Sequence, residues 1–346
     1  MHLFQQQAAR DVDAALAQLP IIDLGPYFRG QDGALEALAA EILDAGSRVG
    51  FFYIKHHGVP QDLIDGAFAQ SKRFHALPLE AKQRLPLDQN NIGYLAMNTS
   101  MQAHSTVHKA TTPNQNESFF ATHDRGLDHP DVVKGTPLRG QNQWPDDLPG
   151  FREGVMAYFR ELNALGQRLL APFAVALGLP PDALDEDFGG ENNANLRLLH
   201  YPPTKLVDND FGTAPHTDNS FMTILARSEV PGLAIRMPSG EWLGPPLIPG
   251  TFLVNIGNML RRISNDRFLS TPHGVIVDGQ RDRYSIAYFH SPNPYRMIAV
   301  APSCTDADHP PKYEPRLYAD LMKEFYSANY FHQKDHATVE MKNQYD

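Results

Sequence analysis

The sequence predicts a mainly β protein with flanking helices, and three observations carry that prediction. Six short β-type runs, "NLRLLHYPP", "SFMTILAR", "GLAIRM", "TFLVNI", "HGVIV" and "RYSIAYFH", follow one another after residue 190, separated by Gly, Pro, Asn and Asp. Short strands at such spacing build antiparallel sandwiches or barrels. The longest helical signal, residues 151–179, lies just ahead of that block and reads as one supporting helix. The chain has 346 residues, 42% apolar and 20% charged, which is ordinary globular composition with enough material for a large core.

Taken in order, "LPIIDL" (19–24) is an apolar run that suits a strand. Residues 34–49, "ALEALAAEILDAGSRV", have helical spacing and good helix formers, and "GFFYIKHHGVP" (50–60) leaves them as a strand. A second amphipathic helix covers 61–77, and the proline of "PLEAKQRL" suits a first helical turn. From 86 to 150 Asn, Thr, Gln, Asp, Pro and Gly dominate, which predicts long loops broken by short strands such as "ESFFAT". Loops of that length in a compact protein commonly serve function. The β block comes next, and a helix over 313–331 closes the pattern. The expected division is an N-terminal helix/strand region at 1–150, a core with its supporting helix at 151–300, and a helical extension at 301–346.

A formal net charge of −10 argues against nucleic acid and anionic membrane as partners, because both recruit Lys and Arg. The start carries neither a basic nor an apolar leader pattern, and no stretch approaches the roughly 20 apolar residues of a membrane span. Cys304 is the single cysteine, which excludes an internal disulfide and a multi-cysteine zinc site. The expectation is a soluble, cytoplasmic protein acting on a small molecule.

Metal ligands stand at one strand mouth. In "PHTDNSFMTIL" (215–225) strand alternation points His216 and Asp218 the same way. An imidazole and a carboxylate on one face are two legs of a 2-His-1-carboxylate site, which suits non-haem Fe(II) with open positions. Such a triplet also arises by chance: "HPD" (129–131) is a second copy, with a proline at its centre that breaks strand geometry. A third ligand is expected from another strand, and His273 opens "HGVIV". Asp278-Gly279 reads as a hairpin turn, so the chain returns as "RYSIAYF" with Arg283 and Ser285 on one face. A guanidinium among apolar strand residues needs a partner. A bound carboxylate co-substrate would supply one, Ser285 adding a hydrogen bond; the alternative is a salt bridge to a loop acid.

These residues resemble the Fe(II)/2-oxoglutarate-dependent oxygenases of the isopenicillin N synthase-like group, which includes plant 2-oxoglutarate dioxygenases and the bacterial ethylene-forming enzyme. "LPIIDL" and "GFFYIKHHGVP" look like the family's N-terminal block; "LRLLHYPP", "PHTDNSFMTIL", "PGLAIR", the run from "GEWLGPPL" to "STPHGV", and "RYSIAYFHSPN" look like its oxygenase block, in order. The resemblance implies a double-stranded β-helix (jelly-roll) core. It implies Fe(II) on His216, Asp218 and His273 as the catalytic centre, and 2-oxoglutarate held by Arg283, Ser285 and Tyr201. With O2, and ascorbate in support, a small molecule would be hydroxylated, desaturated or ring-closed with release of succinate and CO2. Arg197 occupies the motif position of an arginine near the co-substrate or substrate in the ethylene-forming enzyme. Leu199 stands where many plant members carry Asn, a departure that touches substrate-side hydrogen bonding. Phe119 and Phe120 are expected either to line the substrate mouth or to pack the barrel. The competing functions are an oxidase like isopenicillin N synthase working without 2-oxoglutarate, an ethylene-forming enzyme, and a metal-bearing sensor without turnover.

Other histidines are set aside. His104 and His108 have i, i+4 spacing but lack the Glu of H-E-x-x-H. His56 and His57 read as turn and packing residues, and His200 and His290 alternate away from the site face. No G-x-G-x-x-G or P-loop occurs.

Overall fold

The computed structural model describes residues 12–102, 105, 107, 111–204, 211–277 and 279–330. His104, His108 and Asp278 lie outside the described residues. The chain opens with α1 (Val12–Gln18), β1 (Ile21–Asp23), α2 (Gly25–Phe28), α3 (Ala34–Arg48), β2 (Phe51–Lys55), α4 (Gln61–His75) and α5 (Leu79–Gln83). The polar stretch then holds β3 (Gly93–Leu95), β4 (Glu117–Ala121) and α6 (Pro130–Lys134). The long supporting helix α7 (Phe151–Ala176) and α8 (Asp185–Phe188) lead into β5 (Asn195–Tyr201), β6 (Thr213–His216), β7 (Met222–Arg227), β8 (Leu233–Arg236), β9 (Trp242–Leu243) and β10 (Thr251–Ile256). After α9 (Asn258–Ile263) come β11 (His273–Val275), β12 (Arg283–His290), β13 (Met297–Ile298), β14 (Arg316–Leu317) and α10 (Tyr318–Asn329). Among the described residues no helix is long and apolar enough to cross a membrane.

Two sheets face each other. The larger has the order β1-β2-β10-β7-β12-β5-β4-β3 and the smaller β6-β11-β8-β9, with only β1 and β2 running parallel. This is the double-stranded β-helix, with β1 to β4 from the N-terminal region supplying both edges of the larger sheet.

Strand alternation builds two cores. On the outer face of the larger sheet, Phe52, Ile54, Leu196, Leu198, Ile224, Val254, Ile286 and Tyr288 pack against helices α3, α4 and α7. The intervening residues Phe51, Tyr53, Leu199, Tyr201, Leu253 and Ala287 meet Leu233, Ile235, Val275 and Val277 between the sheets. One face of each strand therefore closes the helical layer while the other lines the barrel, where the polar interior residues sit.

Two expectations about connections are corrected. His273 and Arg283 are not on the arms of one hairpin: β11 pairs with β6 and β8, whereas β12 pairs with β5 and β7. An Asp-Gly signal encodes a reversal, but it does not say whether the returning strand rejoins its own sheet. Likewise His216 and Asp218 do not share a strand. His216 ends β6 in the smaller sheet, and Thr217–Phe221 cross to β7 in the larger one.

On the helical side of β4, Lys82 donates to both Glu117 carboxylate oxygens at 3.1 and 2.8 Å, and Tyr94 and His200 bond the same group. Burial pushes the Glu117 carboxyl up, but the His200, Lys82 and Tyr94 hydrogen bonds outweigh it and hold it at about 2. Breaking a buried pair leaves an uncompensated charge, so Lys82→Met is expected to cost about 3–5 kcal/mol at neutral pH. A carboxyl depressed below its unfolded value stabilises above that value and loses this as pH falls. The cost of Lys82→Met should therefore shrink on acidification, as Glu117 takes up a proton. Urea unfolding at pH 7 and pH 4 checks both statements.

Candidate active site

His216 and His273 stand directly opposite each other in the β6–β11 ladder, their ring centroids 4.5 Å apart. Antiparallel neighbours project to the same side of the sheet. Asp218 reaches this pair from the crossing loop: Asp218 Oδ1 lies 3.6 Å from His216 Nε2 and 3.8 Å from His273 Nε2. One ligand atom from each residue falls within 4.8 Å of the others, the only His/Cys/Asp/Glu cluster of that kind among the described residues.

The remaining ring and carboxylate atoms are engaged elsewhere. His216 Nδ1 bonds the Ala214 carbonyl at 2.9 Å and His273 Nδ1 the Thr271 carbonyl at 3.1 Å. Hydrogen-bonded to carbonyls, both Nδ1 atoms carry the proton and both Nε2 lone pairs face the cluster. Thr223 Oγ1 and Asn255 Nδ2 donate to Asp218 Oδ2 at 2.6 and 2.8 Å, leaving Oδ1 toward the imidazoles. Burial raises the Asp218 carboxyl, but the neighbouring His273 and His216 and the Thr223 hydroxyl outweigh this and hold it below the ordinary carboxylate range. Burial pushes the His273 imidazole down to about 4. The donor set is thus one carboxylate and two imidazoles turned toward each other, which fits a divalent metal of the 2-His-1-carboxylate type.

Across the interior, Arg283 is 2% exposed, and its Nε and Nη1 have no hydrogen-bond partner among the described residues. Its guanidinium carbon lies 4.7 Å over the Tyr201 ring, and no described carboxylate pairs with it. Among the described residues no loop acid forms a salt bridge with it. Ser285, two residues along β12, is also buried. A Cβ at Gly232 would collide with the Ile276 carbonyl and stand 3.2 Å from Arg283 Nε, so only glycine allows this close approach. A buried cation without an anion is costly, and a bound carboxylate answers that cost.

The remaining candidates separate. Phe119 is not at the mouth: it packs between Phe74, Phe151 and Trp144 in the helical-layer core. Phe120, one residue on, faces the interior, where the Arg197 guanidinium lies 4.8 Å over its ring and Tyr330 meets it edge-on. Arg197 donates to Ser118 Oγ and Asn116 Oδ1 at 2.9 and 3.1 Å, both neutral acceptors. Leu199 lines the inter-sheet core beside Tyr201. His200 bonds Glu117 and Asp282, His290 stacks on Phe188, and the "HPD" copy caps α6, all away from the cluster. Sequence reasoning missed Thr223 and Asn255; a polar residue interrupting an otherwise apolar strand, as in "FMTIL" and "FLVNI", was the available signal. It also missed Tyr330, which no pattern marked.

A jelly roll that gathers two imidazoles and a carboxylate, with a buried guanidinium that no described carboxylate pairs, defines a class: non-haem iron oxygenases with a carboxylate co-substrate. Comparison with known proteins specifies it. Residues 19–147 match the model described as non-haem dioxygenase in morphine synthesis N-terminal, and residues 192–292 that of the 2OG-Fe(II) oxygenase superfamily. The 2-oxoglutarate-Fe(II) type oxidoreductase hxnY of Emericella nidulans is 34% identical over 321 residues, covering 90% of each chain. A full-length Neurospora crassa protein, solved in complex with alpha-KG and 5-formyluracil, superposes with a TM-score of 0.77 at 28% identity, covering 90% of this chain and 96% of that one. JOX2 in complex with 2OG, Fe and JA gives 0.74 at 28% identity, covering 93% and 89%. The chain belongs to the 2OG-Fe(II) oxygenase superfamily, among its isopenicillin N synthase-like members. It is an Fe(II)/2-oxoglutarate-dependent dioxygenase of small molecules.

Proposed function

We propose that His216, Asp218 and His273 hold the Fe(II), and that Arg283, Ser285 and Tyr201 receive the distal carboxylate of 2-oxoglutarate. The observation that carries this reading is the unpartnered pair of Arg283 nitrogens, buried in the same barrel as the His–Asp–His cluster. When bound, the metal and co-substrate supply O2 activation, with 2-oxoglutarate leaving as succinate and CO2 while the substrate is oxidised. The protein's own part is positional. The Ala214 and Thr271 carbonyls fix the two imidazole tautomers, and Thr223 and Asn255 aim the carboxylate. Arg283 and Ser285 orient the keto-diacid from its far end.

The substrate would enter between Phe120, Tyr330 and Leu199, which exclude water, with Arg197 offering a guanidinium to an anionic or hydrogen-bond-accepting group. Two observations support that side: among the described residues Arg197 bonds only neutral acceptors, and its guanidinium lies over the Phe120 ring that Tyr330 meets edge-on. The same reading keeps residues 151–300 as the oxygenase core, 1–150 as the N-terminal region and 301–346 as the extension that brings Tyr330 to the mouth. It places the enzyme in the cytoplasm, with neither nucleic acid nor membrane as partner. The relatives bound to 2-oxoglutarate support use of that co-substrate over a 2-oxoglutarate-free oxidase. Succinate release under Fe(II), 2-oxoglutarate and ascorbate across a small-molecule panel, with mass spectrometry of products, tests the assignment. Product formed without any dependence on 2-oxoglutarate would defeat it.

Asn255→Leu deletes one of the two donors that aim Asp218. Losing an outer-shell hydrogen bond of this kind typically costs 10–100-fold in metal affinity, so Fe(II) titration should show a rise in dissociation constant of that order. An unchanged affinity would mean that Thr223 alone suffices.

A further inference from the structure

The co-substrate pocket holds a second cation. In the β7–β12 ladder Arg227 stands directly opposite Ser285, so its side chain leaves the sheet on the face that carries Ser285 and Arg283. Arg227 donates to the Pro245 and Pro246 carbonyls at 2.8 and 2.7 Å, and the Tyr53 hydroxyl bonds the same Pro246 carbonyl at 2.6 Å. All its described partners are neutral, and no described carboxylate pairs with it. Burial lowers the basicity of both guanidiniums, and Arg227 depresses that of Arg283 further. Two like charges on one sheet face, with no described carboxylate paired to either, favour the arrival of something negative.

We propose that Arg227 is a specificity-determining residue for the co-substrate: its charge, fixed by the Pro245–Pro246 carbonyls, makes the closed end of the barrel select a 2-oxo acid bearing a distal carboxylate. This rests on the reading that 2-oxoglutarate lies against Arg283. Arg227 acts through its field, because its Nη1 and Nη2 are held by the Pro245 and Pro246 carbonyls. It thereby has two separable effects, its charge and its hold on the Pro245–Pro246 backbone.

The test compares 2-oxoglutarate with 2-oxopentanoate, which keeps the chelating end and ends in a methyl group. Binding to the Mn(II)-loaded protein is measured by calorimetry without oxygen. Arg227→Gln is expected to weaken 2-oxoglutarate on the order of tenfold, as loss of a nearby charge in a protein interior should, and to leave 2-oxopentanoate within about twofold. Arg227→Lys should restore most of the 2-oxoglutarate affinity. The proposal is overturned if Arg227→Gln binds 2-oxoglutarate like the wild type, if it weakens both acids equally, or if Arg227→Lys is no better than Gln. Arg227→Met repeats the reading should the Gln variant fail to fold. Arg283→Gln in the same series separates the premise: wild-type 2-oxoglutarate binding there would remove the site reading itself, whatever Arg227 does.

Discussion

His216→Ala and Asp218→Ala are each expected to reduce 2-oxoglutarate-dependent succinate formation to the background of free iron. The expectation follows from the donor count. Two imidazoles and one carboxylate give three protein ligands, and removing one leaves two on a surface built for three. The loss should exceed the 10–100-fold that accompanies outer-shell changes. Asp218→Ala should be the more severe of the two. It removes the only anion of the set and leaves Thr223 and Asn255, which bond Asp218 Oδ2, without their acceptor. Iron content after desalting and succinate release are the two measurements. A variant that keeps wild-type values in both would show that the cluster is not the metal site.

The ligand types were legible in the sequence, but the geometry that unites them was not. "H-x-D" on its own suggests a strand pair, whereas His216 ends one sheet and Asp218 sits in the passage to the other. The residues still converge because His273 is the cross-strand neighbour of His216, a register that no local pattern encodes. Elements with strong periodicity were readable to within a few residues: the 151–179 signal became Phe151–Ala176, and the six β runs became β5, β7, β8, β10, β11 and β12. The alternation on β12 was equally plain, since Ile286 and Tyr288 face the helices while Ala287 faces the barrel. Which sheet a strand joins depends on long-range pairing, which turn chemistry does not contain. The choice between Phe119 and Phe120 was undecidable for a related reason. Adjacent residues on a strand face opposite ways, and only the position of α4 and α7 says which face is outside.

Arg283→Met is expected to raise the 2-oxoglutarate requirement by a factor on the order of 10² to 10³ while leaving the metal-free protein as stable as the wild type or more so. The two halves come from the same physics. Truncating one partner of a buried, hydrogen-bonded charge pair costs roughly 2–5 kcal/mol of binding, and tenfold in affinity corresponds to about 1.4 kcal/mol. Without a bound anion, however, the guanidinium is a buried cation with two unpartnered nitrogens and a second arginine nearby. Replacing such a group by an apolar side chain of similar length removes a desolvation penalty. A structural arginine would behave oppositely, its loss unfolding the barrel and leaving co-substrate affinity unchanged in whatever remained folded. Thermal unfolding of the metal-free variant, set beside the 2-oxoglutarate dependence of succinate release, therefore distinguishes a residue kept for binding from one kept for the fold. A large drop in melting temperature with an unaltered 2-oxoglutarate requirement would assign Arg283 to the fold.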